Sequence, residues 1–271
     1  MDWGRLSRSE RDAAYDNGKA VPDVARLREA RVQASEAFRS AHGRALDVAY
    51  GDKEKQCWDL FAAAEPSAPC LVFIHGGYWQ QNSRETFSCL CEGVRAHGWS
   101  AAFVGYTLAP AASLTEIAAE ILEALTWLAR EGPRYGVAGK LVLSGWSAGG
   151  HLTALALGHP AVAAGMAISG VYELGPLRDT YLDEKLSLSD AEIAKLSPLR
   201  LPPVMKKLAI AYGTAELPLL VADSRDLHAH RCAGHAPGPL LPVAGANHFT
   251  VLDGLRRGDG WLTRQLLDLI Q

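Results

Sequence analysis

Lys140-Leu141-Val142-Leu143-Ser144-Gly145-Trp146-Ser147-Ala148-Gly149-Gly150-His151-Leu152-Thr153-Ala154-Leu155-Ala156-Leu157 decides how this chain folds. The short apolar run from Lys140 to Ser144 predicts a buried strand. The run from Gly150 to Leu157 predicts a helix. Between them lies Gly145-Trp146-Ser147-Ala148-Gly149, a Gly-x-Ser-x-Gly pentapeptide. A turn that passes from strand to helix in so few residues crowds the backbone around the serine, and glycine on each side relieves the crowding. The serine hydroxyl is then presented at the end of the strand, and the N–H of Ala148 is directed at a reacting carbonyl. The pentapeptide alone is a moderate signal, so the rest of an acyl-transfer site has to be found elsewhere in the chain.

Upstream, Cys70-Leu71-Val72-Phe73-Ile74 is continuously apolar, the pattern of a strand covered on both faces. It ends in His75-Gly76-Gly77-Tyr78-Trp79. Small residues after a strand let backbone N–H groups approach an anion, so Gly77 and Tyr78, with Ala148, are the expected oxyanion donors. Downstream, Leu240-Leu241-Pro242-Val243 predicts a last short strand, followed by Ala244-Gly245-Ala246-Asn247-His248-Phe249. Of the nine histidines, His248 alone sits on a loop after the final strand, where a general base is expected. The acid should follow the preceding strand, Leu208-Ala209-Ile210-Ala211-Tyr212-Gly213. Glu216 is the first carboxylate beyond it. Asp223 is the alternative, but the Leu217-Pro218-Leu219-Leu220-Val221 run starts a helix that carries Asp223 and Asp226 away.

The rest of the chain alternates strand and helix, which predicts a mostly parallel sheet with helices on both faces. Further strands are expected at 100–105 and 163–169, and helices at 85–97 and 114–130, the latter with Thr115 as its cap. Asp47 to Tyr50 and Cys57 to Phe61 predict an antiparallel hairpin around Gly51-Asp52. Residues 1–44 are polar and helical in pattern, with Val24, Leu27, Arg31, Ala34 and Phe38 on one face. This segment is expected either to fold over the domain near the site entrance or to contact a second subunit, as in a homodimer. Residues 171–203 break the alternation with short helices and loops and are expected to form a small cap over the pocket. The whole of 1–271 thus reads as a single α/β domain.

Composition narrows the class. The chain has 271 residues, 48% hydrophobic and 21% charged, with net charge −3, so a globular domain is expected and no basic surface for nucleic acid is visible. No apolar run of about 18 residues is present to span a membrane. The N-terminus lacks the apolar stretch of a signal peptide. Cys57, Cys70, Cys89, Cys91 and Cys232 are odd in number and match no metal spacing, so they read as reduced thiols of a cytoplasmic protein. His228, His230 and His235 lack a nearby carboxylate or cysteine to complete a metal site.

With these residues in place, the chain resembles the kynurenine formamidase (arylformamidase) branch of the α/β-hydrolases, itself close to the hormone-sensitive-lipase-like esterases. The resemblance is carried by His75-Gly76-Gly77-Tyr78-Trp79-Gln80, Tyr106-Thr107-Leu108-Ala109-Pro110, Gly145 to His151, Ser169-Gly170-Val171-Tyr172-Glu173-Leu174 and Asn247-His248-Phe249. Tyr78, where lipase-like esterases usually carry a third glycine, leans toward the formamidases. Their triad acid is Asp, and the matching position here is Glu216. The resemblance implies hydrolysis of the formyl amide of N-formyl-L-kynurenine to formate and L-kynurenine. It implies Ser147 as nucleophile, His248 as base and Glu216 as orienting acid, without metal or cofactor. An aromatic leaving group needs a flat apolar wall, for which Trp79, Trp146 and Tyr172 are candidates. A carboxylesterase of short acyl esters would use the same residues. A non-catalytic binding protein on the same scaffold would be expected to lack the nucleophile or the base, and both are present.

Overall fold

The computed structural model describes residues 3–270. Eight strands form one sheet: β1 Ala45–Ala49, β2 Cys57–Phe61, β3 Cys70–Ile74, β4 Ser100–Val104, β5 Leu141–Trp146, β6 Val162–Ile168, β7 Leu208–Gly213 and β8 Leu240–Val243. Their order is β1-β2-β4-β3-β5-β6-β7-β8. The β1–β2 hairpin joins β4 antiparallel, and every pairing from β4 to β8 is parallel. This is the α/β-hydrolase arrangement expected from the sequence.

The helices are α1 Arg8–Ala13, α2 Asn17–Ala20, α3 Val24–His42, α4 Glu92–Arg95, α5 Leu114–Glu131, α6 Ala148–Ala156, α7 Asp183–Leu186, α8 Asp190–Leu196, α9 Pro218–Ala233 and α10 Trp261–Asp268. They cover both faces of the sheet, which is why its central strands carry apolar side chains in both directions. In β3, Cys70, Val72 and Ile74 enter one core, while Leu71 and Phe73 enter the other. Helix α5 buries Leu114, Ile117, Ile121, Ala124, Leu125 and Leu128, a stripe at the three- and four-residue spacing of a one-sided helix.

Two local expectations are corrected. Ser113, not Thr115, caps α5: its hydroxyl accepts the Glu116 N–H at 3.2 Å, and Glu116 accepts the Ser113 N–H at 2.7 Å. The reciprocal pair satisfies two donors at once, and Leu114 is already buried in the first turn, so the helix must begin before Thr115. The segment 85–97 is not one α-helix. It is a tight 3-10 stretch, Arg84–Cys91, followed by α4. The Cys89 N–H bonds to the Ser35 hydroxyl of α3 at 3.3 Å, in place of the carbonyl four residues back.

The N-terminal segment is fastened to the sheet by charge. Asp59 of β2 is fully buried and accepts from Arg39 Nε at 2.9 Å and Arg84 Nε at 3.2 Å. The segment also reaches 171–203, where Trp3 Nε1 donates to Asp179 at 3.0 Å and the Tyr181 N–H donates to Asp12 at 2.7 Å. The loops after β3, β5, β6, β7 and β8 all leave the same edge of the sheet, the carboxyl ends of its parallel strands, where ligands of open α/β sheets bind.

Candidate active site

Ser147 stands between β5 and α6 with φ 58° and ψ −120°. A side-chain-bearing residue there stores on the order of 1–3 kcal/mol of strain, which persists only where the surroundings enforce it. The Ser147 N–H donates to the Ile168 carbonyl of β6 at 2.8 Å. Behind the turn, a Cβ added to Gly149 would lie 2.0 Å from the Ile74 carbonyl oxygen, and one added to Gly145 would lie 2.2 Å from that of Gly149. Both flanking glycines are therefore needed for close backbone approach.

The loop after β3 carries three successive residues with positive φ: Gly77 at 119°, Tyr78 at 50° and Trp79 at 58°. Neighbours hold this conformation from several sides. The His75 ring stacks on Tyr106 at 4.3 Å, and the Tyr106 hydroxyl donates to the His75 carbonyl at 2.9 Å. Asn82 Nδ2 donates to the Gly76 carbonyl at 3.1 Å. The Tyr78 hydroxyl donates to the Tyr15 carbonyl at 2.7 Å and accepts from Asn17 Nδ2 at 2.9 Å. Burial lowers His75 to about 4, so it is a neutral packing element. Among the described residues, the N–H groups of Gly77, Tyr78 and Ala148 donate to no protein acceptor. Ala148 opens α6, where the first-turn N–H groups have no partner within the helix. These are the three expected oxyanion donors.

His248 lies on the loop after β8, with its side chain almost fully buried. Its Nδ1 is 2.8 Å from Glu216 Oε2. The other oxygen of Glu216 accepts from the Ser169 hydroxyl at 2.5 Å and from the Gly213 N–H at 2.6 Å. Three bonds thus fix a buried carboxylate, and the carboxylate fixes the imidazole. Trp146 supports the same ring: its Nε1 donates to the His248 carbonyl at 2.8 Å, and the two rings lie 4.8 Å apart. Ser147 and His248 line one cavity of 210 Å³ together with Gly77 and Tyr78. No hydrogen bond joins the Ser147 hydroxyl to His248 here. Such contacts are often long before substrate binds.

The structure sorts the remaining candidates. Trp146 lines the cavity, beside Phe249 and Tyr181. Trp79 and Tyr172, expected as further walls, are fully buried in the hydrophobic core and line none of it. Trp79 packs edge-on against His151 at 4.9 Å, and the Tyr172 hydroxyl turns back to the Gly170 N–H at 3.3 Å. Asp223, the alternative acid, accepts the Tyr172 N–H at 2.8 Å and makes no contact with His248. Burial pushes it up to about 7.

Sequence reasoning missed Ser169, which no motif marks as a partner of Glu216. It also missed Asn17 and Arg28, which α2 and α3 bring to the cavity from the opposite end of the chain. Phe249 could have been found by its adjacency to His248. Among the described residues, no group of three or more His, Cys, Asp or Glu side chains is placed to hold a metal ion, and no helix is long and apolar enough to cross a membrane.

A family model described as BD-FAE matches residues 59–162. A kynurenine formamidase of Danio rerio is 24% identical over 99% of this chain and 98% of its own length. A solved structure from Silicibacter sp. TM1040, described as a candidate thioesterase, is 28% identical, with a TM-score of 0.85 over 95% of this chain and 99% of that one. Esterase B of Lactobacillus rhamnosis has a TM-score of 0.70 over 90% of this chain and 93% of its own at 19% identity, a likeness of fold alone. The chain is thus an α/β-hydrolase, an enzyme of the hydrolase class, similar over nearly its whole length to kynurenine formamidases.

Proposed function

We propose that this enzyme hydrolyses the formyl amide of N-formyl-L-kynurenine, giving formate and L-kynurenine through an acyl-enzyme. The observation that carries the chemistry is the single cavity that gathers Ser147, the Glu216-supported His248 and the Gly77 and Tyr78 backbone. Likeness over nearly the whole chain to kynurenine formamidases supports the choice of substrate.

In this reading the Ser147 hydroxyl attacks the formyl carbon while His248 Nε2 takes its proton. The N–H groups of Gly77, Tyr78 and Ala148 stabilise the tetrahedral oxyanion. The C–N bond then breaks, and His248 gives the proton to the departing arylamine. Water attacks the formyl ester of Ser147, His248 takes a proton from it, and the serine oxygen leaves with that proton as formate is released. Glu216 orients the imidazole and stabilises its protonated form throughout. A formyl group is small enough for the confined space beside Ser147. Trp146 and Phe249 form the flat wall for the aromatic leaving group, and residues 171–203 act as a cap that contributes Tyr181. The reaction needs no cofactor.

Hydrolysis of short-chain acyl esters or thioesters by the same residues is the second reading, favoured by the 28% identical structure described as a candidate thioesterase. The deciding assay follows kynurenine release from N-formyl-L-kynurenine beside p-nitrophenyl acetate turnover, with Ser147→Ala as control. A kcat/KM for the formamide at or above about 10⁴ M⁻¹s⁻¹, lost in the control, is expected. Ester turnover with negligible formamide turnover would remove the formamidase reading and leave the second.

A further inference from the structure

The cavity that holds Ser147 and His248 is bordered by the N-terminal segment. Asp16, Asn17 and Arg28 come to its rim from before and within α3. The Arg28 guanidinium lies over the Phe249 ring at 5.2 Å, and Phe249 in turn stands edge-on to the His248 imidazole at 5.7 Å. Arg28 is therefore one aromatic ring away from the base.

Its charge is not engaged. Arg8, Arg11, Arg26 and Arg39 of the same segment each pair with a carboxylate. Arg28 makes no such pair among the described residues. Asp16, the acidic group at the same rim, already caps α2 and pairs with Lys19 at 3.2 Å. One turn along α3, Arg31 lies over Trp146 at 5.4 Å and over Phe87 at 4.4 Å, also without an ion pair. Its Nε is buried without a hydrogen-bond partner. Burial lowers Arg31 to about 10, so it stays charged at neutral pH. Two cations thus pack on the rings of the Trp146–Phe249 wall, and of the two Arg28 lines the cavity. A planar guanidinium held on an aromatic face keeps its N–H edge free for a carboxylate.

We infer that Arg28 is a specificity-determining residue that selects acyl substrates whose aromatic leaving group carries a distal carboxylate. The acyl group sits at Ser147, the aromatic ring lies along Trp146 and Phe249, and the carboxylate reaches the guanidinium over the far side of Phe249. The inference rests on reading this cavity as the acyl-transfer site. It deepens the proposed function, because N-formyl-L-kynurenine carries its carboxylate at the end of the side chain ortho to its formamide, several bonds from the reacting carbonyl.

The test compares 3-(2-acetoxyphenyl)propanoate with its uncharged primary amide, whose acyl group and side chain are ortho as in N-formyl-L-kynurenine and which differ only at the distal group. The readout is the ratio of their kcat/KM values, with N-formyl-L-kynurenine assayed in parallel. The native enzyme is expected to prefer the acid by on the order of tenfold or more, the size of a charge-assisted hydrogen bond at a partly exposed site, and less so as salt rises. Arg28→Gln should bring the ratio to about one, and Arg28→Lys should keep part of it. Arg26→Gln, which removes the same charge from the same helix away from the cavity, should leave the ratio unchanged. A native ratio of about one, or a ratio that survives in Arg28→Gln, overturns the inference. Loss of acid preference in Arg28→Gln without any formamide turnover keeps Arg28 and removes the formamidase reading. Formamide turnover that Arg28→Gln leaves untouched does the reverse. If neither ester is hydrolysed, calorimetric binding of the two compounds to Ser147→Ala gives the same comparison, and equal affinity overturns the inference.

Discussion

Asn17 Nδ2 donates to the hydroxyl of Tyr78 at 2.9 Å, in the interior, across 61 residues of chain. The bond ties the N-terminal segment to a loop whose backbone is held in an unfavourable conformation. The Tyr78 hydroxyl also donates to the Tyr15 carbonyl at 2.7 Å. Both side chains and the carbonyl depend on one phenol oxygen.

Tyr78→Phe removes that oxygen and strands a buried amide and a buried carbonyl. The expected stability loss is about 1–3 kcal/mol, read by urea unfolding. Activity should suffer beyond this, because the Gly77 and Tyr78 N–H groups are no longer held in place. A kcat lower by on the order of tenfold to a hundredfold is expected, with KM little changed. An unchanged kcat would show that the loop keeps its shape without its anchor.

Glu216→Gln keeps the size of the side chain but removes the charge beside His248 Nδ1. The imidazole then loses the partner that fixes its tautomer and stabilises its protonated form. Steady-state kinetics should show kcat reduced by about 10³- to 10⁴-fold. Ser169→Ala should show a smaller loss, since Gly213 N–H still holds the same carboxylate oxygen. Equal losses in the two variants would contradict this ranking.

Gly149→Ala places a methyl group 2.0 Å from the Ile74 carbonyl oxygen, against backbone on which β3 and β5 depend. No soluble folded protein is expected. Gly158→Ala meets only a Val204 methyl at 3.7 Å, an ordinary contact. Its thermal midpoint should stay within the range of about 0.5 kcal/mol typical of surface changes. Circular dichroism melts of the two variants check the contrast.

Stability should vary with pH through three buried groups. His75 and His151 are lowered by burial to about 4 from an ordinary 6.5. Between those values the unfolded chain binds protons that the folded chain refuses, so stability is full above pH 6.5 and is lost as pH falls toward 4. Asp223 has the opposite sign. Burial raises it from 3.8 to about 7, so its contribution is full below 3.8 and is lost as pH rises toward 7. Over the acid window the two histidines outweigh the one aspartate. Urea midpoints should therefore decline below pH 6.5, and the decline should be steeper in Asp223→Asn. A shallower decline in that variant would refute the assignment.

The order of the chemistry along the chain could be read without a structure. The apolar run of β3 before His75-Gly76-Gly77, the pentapeptide around Ser147, and Glu216 and His248 after β7 and β8 are local signals. Each is a strand end followed by residues suited to a tight turn, and local backbone rules place them. The same rules placed the β1–β2 hairpin, the parallel core and α5. They failed where a long-range contact overrides local preference, as at the 3-10 segment that yields the Cys89 N–H to Ser35.

The sequence by itself determined the α/β-hydrolase fold and which residues are candidates for acyl transfer. Only the tertiary structure decided how they are supported and what faces them. Trp79 and Tyr172 read as aromatic walls but turn into the core, because backbone dihedrals and packing set a side chain's direction. Ser169 holds Glu216 from a neighbouring strand end, and Arg28 reaches the cavity from a helix that precedes the whole sheet. These contacts join residues far apart in the chain, and no periodicity or motif encodes them.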